Sequence, residues 1–249
     1  SGILFGLDPT TFTTDLAFVL TSLGFVVTAY LFWTLWDKRP FKEMGFEASP
    51  RKILVDFASG SILGVIIIFL SILVSLALGY GSFVGRVQGN VASDVMMGLL
   101  VYLSVGFAEE ILSRGYMMTI LAQSFGSSFA IFGSAVIFSV LHLLNPNVSL
   151  LSVFNIILAG ILLAFSYHRT KALWFPIGLH FTWNLMQGTI FSLEVSGIES
   201  KGLFHVLLTG PEYITGGKFG LEGGIIVTLL TLLAFGAVEL YARKTAHSA

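Results

Sequence analysis

Apolar positions along this chain do not alternate with polar ones; they run on in long stretches separated by short polar breaks. The stretches fall near residues 12 to 36, 53 to 79, 95 to 121, 129 to 145, 149 to 168, 172 to 193 and 222 to 242. Most approach or exceed the ~20 residues that a helix needs to cross roughly 30 Å of hydrocarbon. The pattern therefore predicts an all-α fold, a polytopic transmembrane helix bundle of about seven spans, with an eighth if one long run is broken. Strands of a membrane barrel would be shorter and would alternate apolar with polar positions, which these runs do not. Between Glu194 and Glu222 the chain turns polar and glycine-rich, which predicts an external loop with a short interfacial helix around Leu203 to Leu208. No internal repeat is evident, and residues 1–249 are expected to form a single membrane-embedded domain.

Composition supports a lipid environment. Charged residues make up 11% of the chain, against roughly 25% in soluble domains. A net charge of −1 with no long basic run leaves no electrostatic footprint for nucleic acid. The absence of cysteine excludes disulfides, thiolate nucleophiles and cysteine-ligated metals. The opening SGILFGLDPTTFTTD lacks the basic region of a signal peptide, so the first apolar run is expected to be retained, with Ser1 and Gly2 a tag remnant. Nine of the thirteen Lys and Arg residues fall at one set of span ends, while Arg86, Lys201 and Lys218 fall at the other and Arg114 lies within a span. The positive-inside rule then places the N-terminus outside and the C-terminus in the cytoplasm of a cell membrane.

The segment GFAEEILSRGYMM, residues 106–118, sets Glu109, Glu110 and Arg114 inside an apolar run. Ionisable groups at that depth cost a few kcal/mol and normally face protein or water along a functional pathway. Glu110 and Arg114 are four residues apart on one helical face and are expected to pair. Glu109 points about 100° away from Glu110, so it is less easily neutralised by that cation. An ion pair that only knits helices together would leave one carboxylate spare.

Other spans supply partners for it. FSVLH places Phe138 and His142 on one face of the fourth run, and HFTWN places His180 and Asn184 on one face of the sixth. Taken singly, each pair reads as helix-to-helix hydrogen bonding. Taken together with the carboxylates, they make a hydrolytic set. A carboxylate and an imidazole hold and deprotonate a water, and a second imidazole with a carboxamide donates to an oxyanion.

EEILSR, FSVLH and HFTWN, in that order on separate apolar segments, resemble the EExxxR, FxxxH and HxxxN motifs of the CPBP family of intramembrane proteases. That family comprises the type II CAAX prenyl endopeptidases and their prokaryotic relatives. KRPFKEMGF and LWFPIGLHFTWNLMQG are similar to prokaryotic members in particular. The resemblance implies a protease with its motifs between residues 109 and 184, hydrolysing a peptide bond of a prenylated, CAAX-like or otherwise membrane-associated peptide or protein. By motif position, Glu109 corresponds to the catalytic glutamate, His142 to its partner on water, and His180 and Asn184 to the oxyanion donors. Glu110, Arg114 and Phe138 take supporting places. A site for CAAX-like tails would open toward the cytoplasm.

Two rival readings remain at the level of sequence. A transporter or proton relay uses buried carboxylates and histidines too, although no matched pair of Gly/Pro-broken helices occurs. Zinc or another divalent metal is the alternative to a site without cofactors. No HExxH occurs, and using both histidines and a glutamate as ligands would leave mainly Asn184 for the oxyanion. Depth poses a geometric condition. A fourth span ending near Asn145 puts His142 close to the outer surface, with Glu109 at mid-membrane and His180 about 12 Å from the inner end. Convergence requires strong tilt or immersion of the segment LLNPNVSLL, which contains Pro146.

Overall fold

The computed structural model describes residues 9–88 and 91–246, so that Ser1, Gly2 and the start of the N-terminal stretch lie outside the described residues. Helix α1 (Pro9–Leu31) widens into a π turn at Phe32–Trp36 and is followed by α2 (Pro50–Ala77) and strand β1 (Gly81–Arg86). Helix α3 (Val91–Glu110) continues through a π-helical stretch, Ile111–Met118, into α4 (Thr119–Phe125). Gly126, at φ 83°, separates it from α5 (Ser127–Leu141). Then come α6 (Leu150–Thr170), α7 (Trp174–Asn184) with a second long π stretch at Leu185–Ile190, strand β2 (Phe204–Leu208), the single turn α8 (Glu212–Thr215), and α9 (Ile225–Ala246).

Helix starts follow local sequence. Ser49 caps α2 by accepting from the Lys52 amide, with Pro50 in the first turn where its missing N–H costs nothing. Ser149 and Ser152 cap α6 reciprocally, each side chain bonding the other's backbone N–H.

The outside of the bundle is apolar. Leu35, Leu54, Met96 and Leu233 are all about 70% exposed, which no water-facing surface would sustain over such an area. Among the described residues, five segments are long and apolar enough to cross a bilayer: Thr14–Trp36, Pro50–Ala77, Val91–Phe125, Leu150–Thr170 and Ile225–Thr245. Ser127–Leu141 is a shorter apolar helix. The protein is a multi-pass helical membrane bundle.

Contacts between loops define its two ends. At one, Arg39 donates to Gln123, Leu173 N–H donates to the Gly45 carbonyl, and Arg169 pairs with Glu239 of α9. At the other, Asn145 donates to the Ser196 carbonyl, and β1 pairs antiparallel with β2. The basic loops thus gather at the first end, and the segment 191–224 caps the second.

The expected interfacial helix around Leu203 to Leu208 is instead strand β2, with Gly81 opposite Leu208 and Arg86 opposite Phe204. The physical reason is partnership. FHVLL offers aromatic and β-branched residues to β1, and only Val206 at its centre is buried.

Helices α2 and α7 make the closest packing seam. Gly60 and Gly64 abut the backbone of Phe175 and Leu179, and Gly178 abuts Phe57, so that a Cβ at any of the three would collide with main chain. Thr182 Oγ1 donates across the seam to the Ser61 carbonyl at 2.8 Å. Small residues let membrane helices approach this closely, and here the approach fixes the helix that carries His180 and Asn184. Gly64→Leu is expected to destabilise the bundle by at least about 1–3 kcal/mol, as overpacking does, and to displace α7. Unfolding in detergent checks it: wild-type stability would show that the seam yields.

Candidate active site

Glu109 and Glu110 close the regular part of α3, and the helix widens immediately after them. Such π turns favour functional positions because they shift one residue out of register with its helical neighbours. Glu110 is fully buried, and its Oε1 accepts from Arg114 Nη1 at 2.8 Å. The same oxygen lies 2.9 Å from His180 Nδ1 on α7. Arg114, also fully buried, donates from Nη2 to the Gly160 carbonyl of α6 at 3.1 Å and lies over the Phe138 ring of α5, 4.5 Å from its centroid. One ion pair therefore ties α3 to α5, α6 and α7. The expected pairing of Glu110 with Arg114 is present, and the contact with His180 adds to it.

Glu109 faces differently. Its side chain is 22% exposed, and its Oε2 lies 3.8 Å from His180 Nε2. His180 stands between the two carboxylates, with Nδ1 toward Glu110 and Nε2 toward Glu109.

His142 ends α5 as its C-cap, with Nδ1 2.8 Å from the Phe138 carbonyl. The Phe138 ring stacks against both histidines, 4.6 Å from His142 and 6.0 Å, edge-on, from His180. Helix α5 is short, and the residues after it contact the 191–224 segment, Asn145 through the Ser196 carbonyl and Pro146 through Gly197.

Glu109, His142, His180 and Asn184 all line one cavity of about 820 Å³, together with Phe138. Its wall takes in the first half of α1, α3, the end of α5, the middle of α6, α7 and the segment 194–201. Phe25, Leu112, Leu163 and Leu179 supply apolar lining. Among the described residues, no three His, Asp or Glu side chains form a metal-ligand cluster.

Sequence reasoning missed the polar roof. Glu222 lines the same cavity, and its Oε2 accepts from Gln187 Nε2 while Asn155 Nδ2 donates to its carbonyl at 2.7 Å. Burial raises the Glu222 carboxyl above its ordinary range, and the hydrogen bond from Gln187 opposes the rise. Gln187 follows His180 by seven residues and Asn184 by three, a helical-face repetition that was available as a signal. Glu222 has no such periodic cue.

Among known families, residues 91–186 match the one described as Rce1-like: type II CAAX prenyl endopeptidase Rce1-like. No curated protein and no solved structure matches the chain.

Proposed function

We propose that the protein is an intramembrane endopeptidase hydrolysing a peptide bond of a lipidated or otherwise membrane-associated substrate, a reading supported by the match of residues 91–186 to the Rce1-like type II CAAX prenyl endopeptidase family. The observation that carries this reading is the placement of Glu109, His142, His180 and Asn184 around a single cavity. Glu109 and His142 hold a water and orient it toward the scissile carbonyl carbon. As the water oxygen attacks, its proton passes to Glu109, and the carbonyl oxygen becomes an oxyanion facing His180 and Asn184. Glu109 then returns the proton to the amide nitrogen, the C–N bond breaks, and a carboxyl and an amine leave.

Glu110 positions His180. With Nδ1–H donated to Glu110, the ring turns Nε2 to the cavity, where it serves the oxyanion as an imidazolium. Arg114 holds Glu110 in place and offsets its charge in a region that water does not reach.

Replacing either oxyanion donor, His180→Ala or Asn184→Ala, is expected to lower kcat by about 10²- to 10³-fold. KM should change less. The check is steady-state cleavage of a lipidated fluorogenic peptide in detergent; losses confined to KM would make both residues substrate-positioning groups.

This chemistry calls for no metal. Glu110 is committed to Arg114 and His180, and Glu109 and His142 are assigned to the water. Elemental analysis of active, purified protein should find no stoichiometric zinc, and a membrane-permeant chelator should leave cleavage intact. One zinc per active chain, with activity lost on its removal and restored on its return, would replace the water-activation step while sparing the peptidase assignment.

A further inference from the structure

The sequence holds two expectations about sidedness that the fold brings into opposition. The charge bias puts the basic loops in the cytoplasm, and a site for CAAX-like tails would open toward that same compartment. The cavity, however, lies in the other half of the bundle.

Its wall includes residues near the capped end, namely Thr14 to Phe25 of α1, Leu141 and His142 at the end of α5, Asn145 to Asn147, and 194–201 with Lys218 and Glu222, and it also takes in Leu112, Ser113, Leu163 and Leu179. No residue of the loop 37–52, the 123–126 corner, the 169–173 turn or the C-terminal end of α9 lines it. Toward the basic end the bundle is packed shut. Trp33, Met44, Ile111, Leu112, Leu173 and Ile177 form one buried cluster there. Leu173 is held against the basic loop by its bond to the Gly45 carbonyl. Of the thirteen Lys and Arg residues, nine lie at that packed end and three, Arg86, Lys201 and Lys218, at the cavity end. Arg114 is buried and does not count. An excess of this size in short loops fixes orientation.

We infer that the cavity takes its substrate from the extracytoplasmic side: a membrane-anchored peptide whose scissile segment lies at the outer face, not a prenylated tail presented from the cytoplasm. The inference rests on the peptidase reading for the word substrate and on the fold and charge distribution for the side. The peptide reaches Glu109 past the 194–201 segment, and the buried cluster denies the same route from the basic end.

Sidedness is open to a clean test because the chain has no cysteine. Glu199→Cys reports the cavity mouth, where that side chain lines the wall, and Glu43→Cys the basic end, and both native side chains are exposed. A membrane-impermeant maleimide added to intact cells should label Glu199→Cys and spare Glu43→Cys, and inverted vesicles should give the opposite pattern. Labelling of Glu43→Cys alone in intact cells would overturn the inference. In proteoliposomes of mixed orientation, a farnesylated quenched-fluorescent peptide added outside should be hydrolysed in proportion to the fraction of molecules whose Glu199→Cys is accessible. Hydrolysis proportional to accessible Glu43→Cys would overturn the entry route while leaving a peptidase. Failure of wild type to cleave this or any lipidated peptide in detergent would defeat the peptidase reading, with the labelling pattern still deciding which side the cavity faces.

Discussion

Glu109→Gln is expected to lower turnover by about 10²- to 10⁴-fold, the range associated with removing a general acid–base group, while the protein remains folded and inserted. Glutamine keeps the shape of the side chain but cannot accept the water's proton or return it to the leaving amine. Little structural cost should follow, because Glu109 takes no part in the Glu110–Arg114 ion pair and reaches the cavity. The measurement is single-turnover cleavage beside a thermal unfolding profile in the same detergent. A well-folded Glu109→Gln protein with near wild-type cleavage would overturn the assignment of Glu109 as base.

Glu110→Gln should behave in the opposite proportion, with a large loss of stability and a loss of activity that follows from it. The substitution leaves Arg114 as a buried, uncompensated cation, and breaking such a pair costs about 3–5 kcal/mol. It also weakens the acceptor that holds His180 Nδ1. The double variant Glu110→Gln with Arg114→Met removes the stranded charge and should recover part of the stability. Activity should stay low, because His180 remains without its carboxylate. Recovery of both would reduce Glu110 to a counter-ion for Arg114. Recovery of neither would place the damage in the packing around Gly160 and Phe138.

The bundle was readable from the sequence because lipid imposes one rule on every span: apolar side chains outward and backbone bonds satisfied within the helix. The run expected at 53 to 79 is α2 at Pro50–Ala77, and that expected at 149 to 168 is α6 at Leu150–Thr170. The motif residues were readable because side chains four apart on a helix share a face, as Glu110 with Arg114 and Phe138 with His142 do. What escaped depends on partners distant in sequence. The bond from His180 to Glu110 joins residues 70 apart, and the strand at Phe204–Leu208 exists because Gly81–Arg86 lies beside it. The π stretches after Glu110 and after Asn184 have no side-chain period to announce them. The end of the bundle at which the cavity's lining lies required knowing which loops share an end, and that too depends on contacts distant in sequence.

Hydrolysis by an activated water is the claim on which the other assignments depend, and isotope transfer tests it directly. Membrane extracts from the native host, incubated in H₂¹⁸O with purified wild-type protein or with Glu109→Gln, would be compared by mass spectrometry for new peptide termini. The account predicts new carboxyl termini carrying a single ¹⁸O with the wild type and none with Glu109→Gln. Identical sets of termini in the two samples, or new carboxyl termini without ¹⁸O, would contradict it.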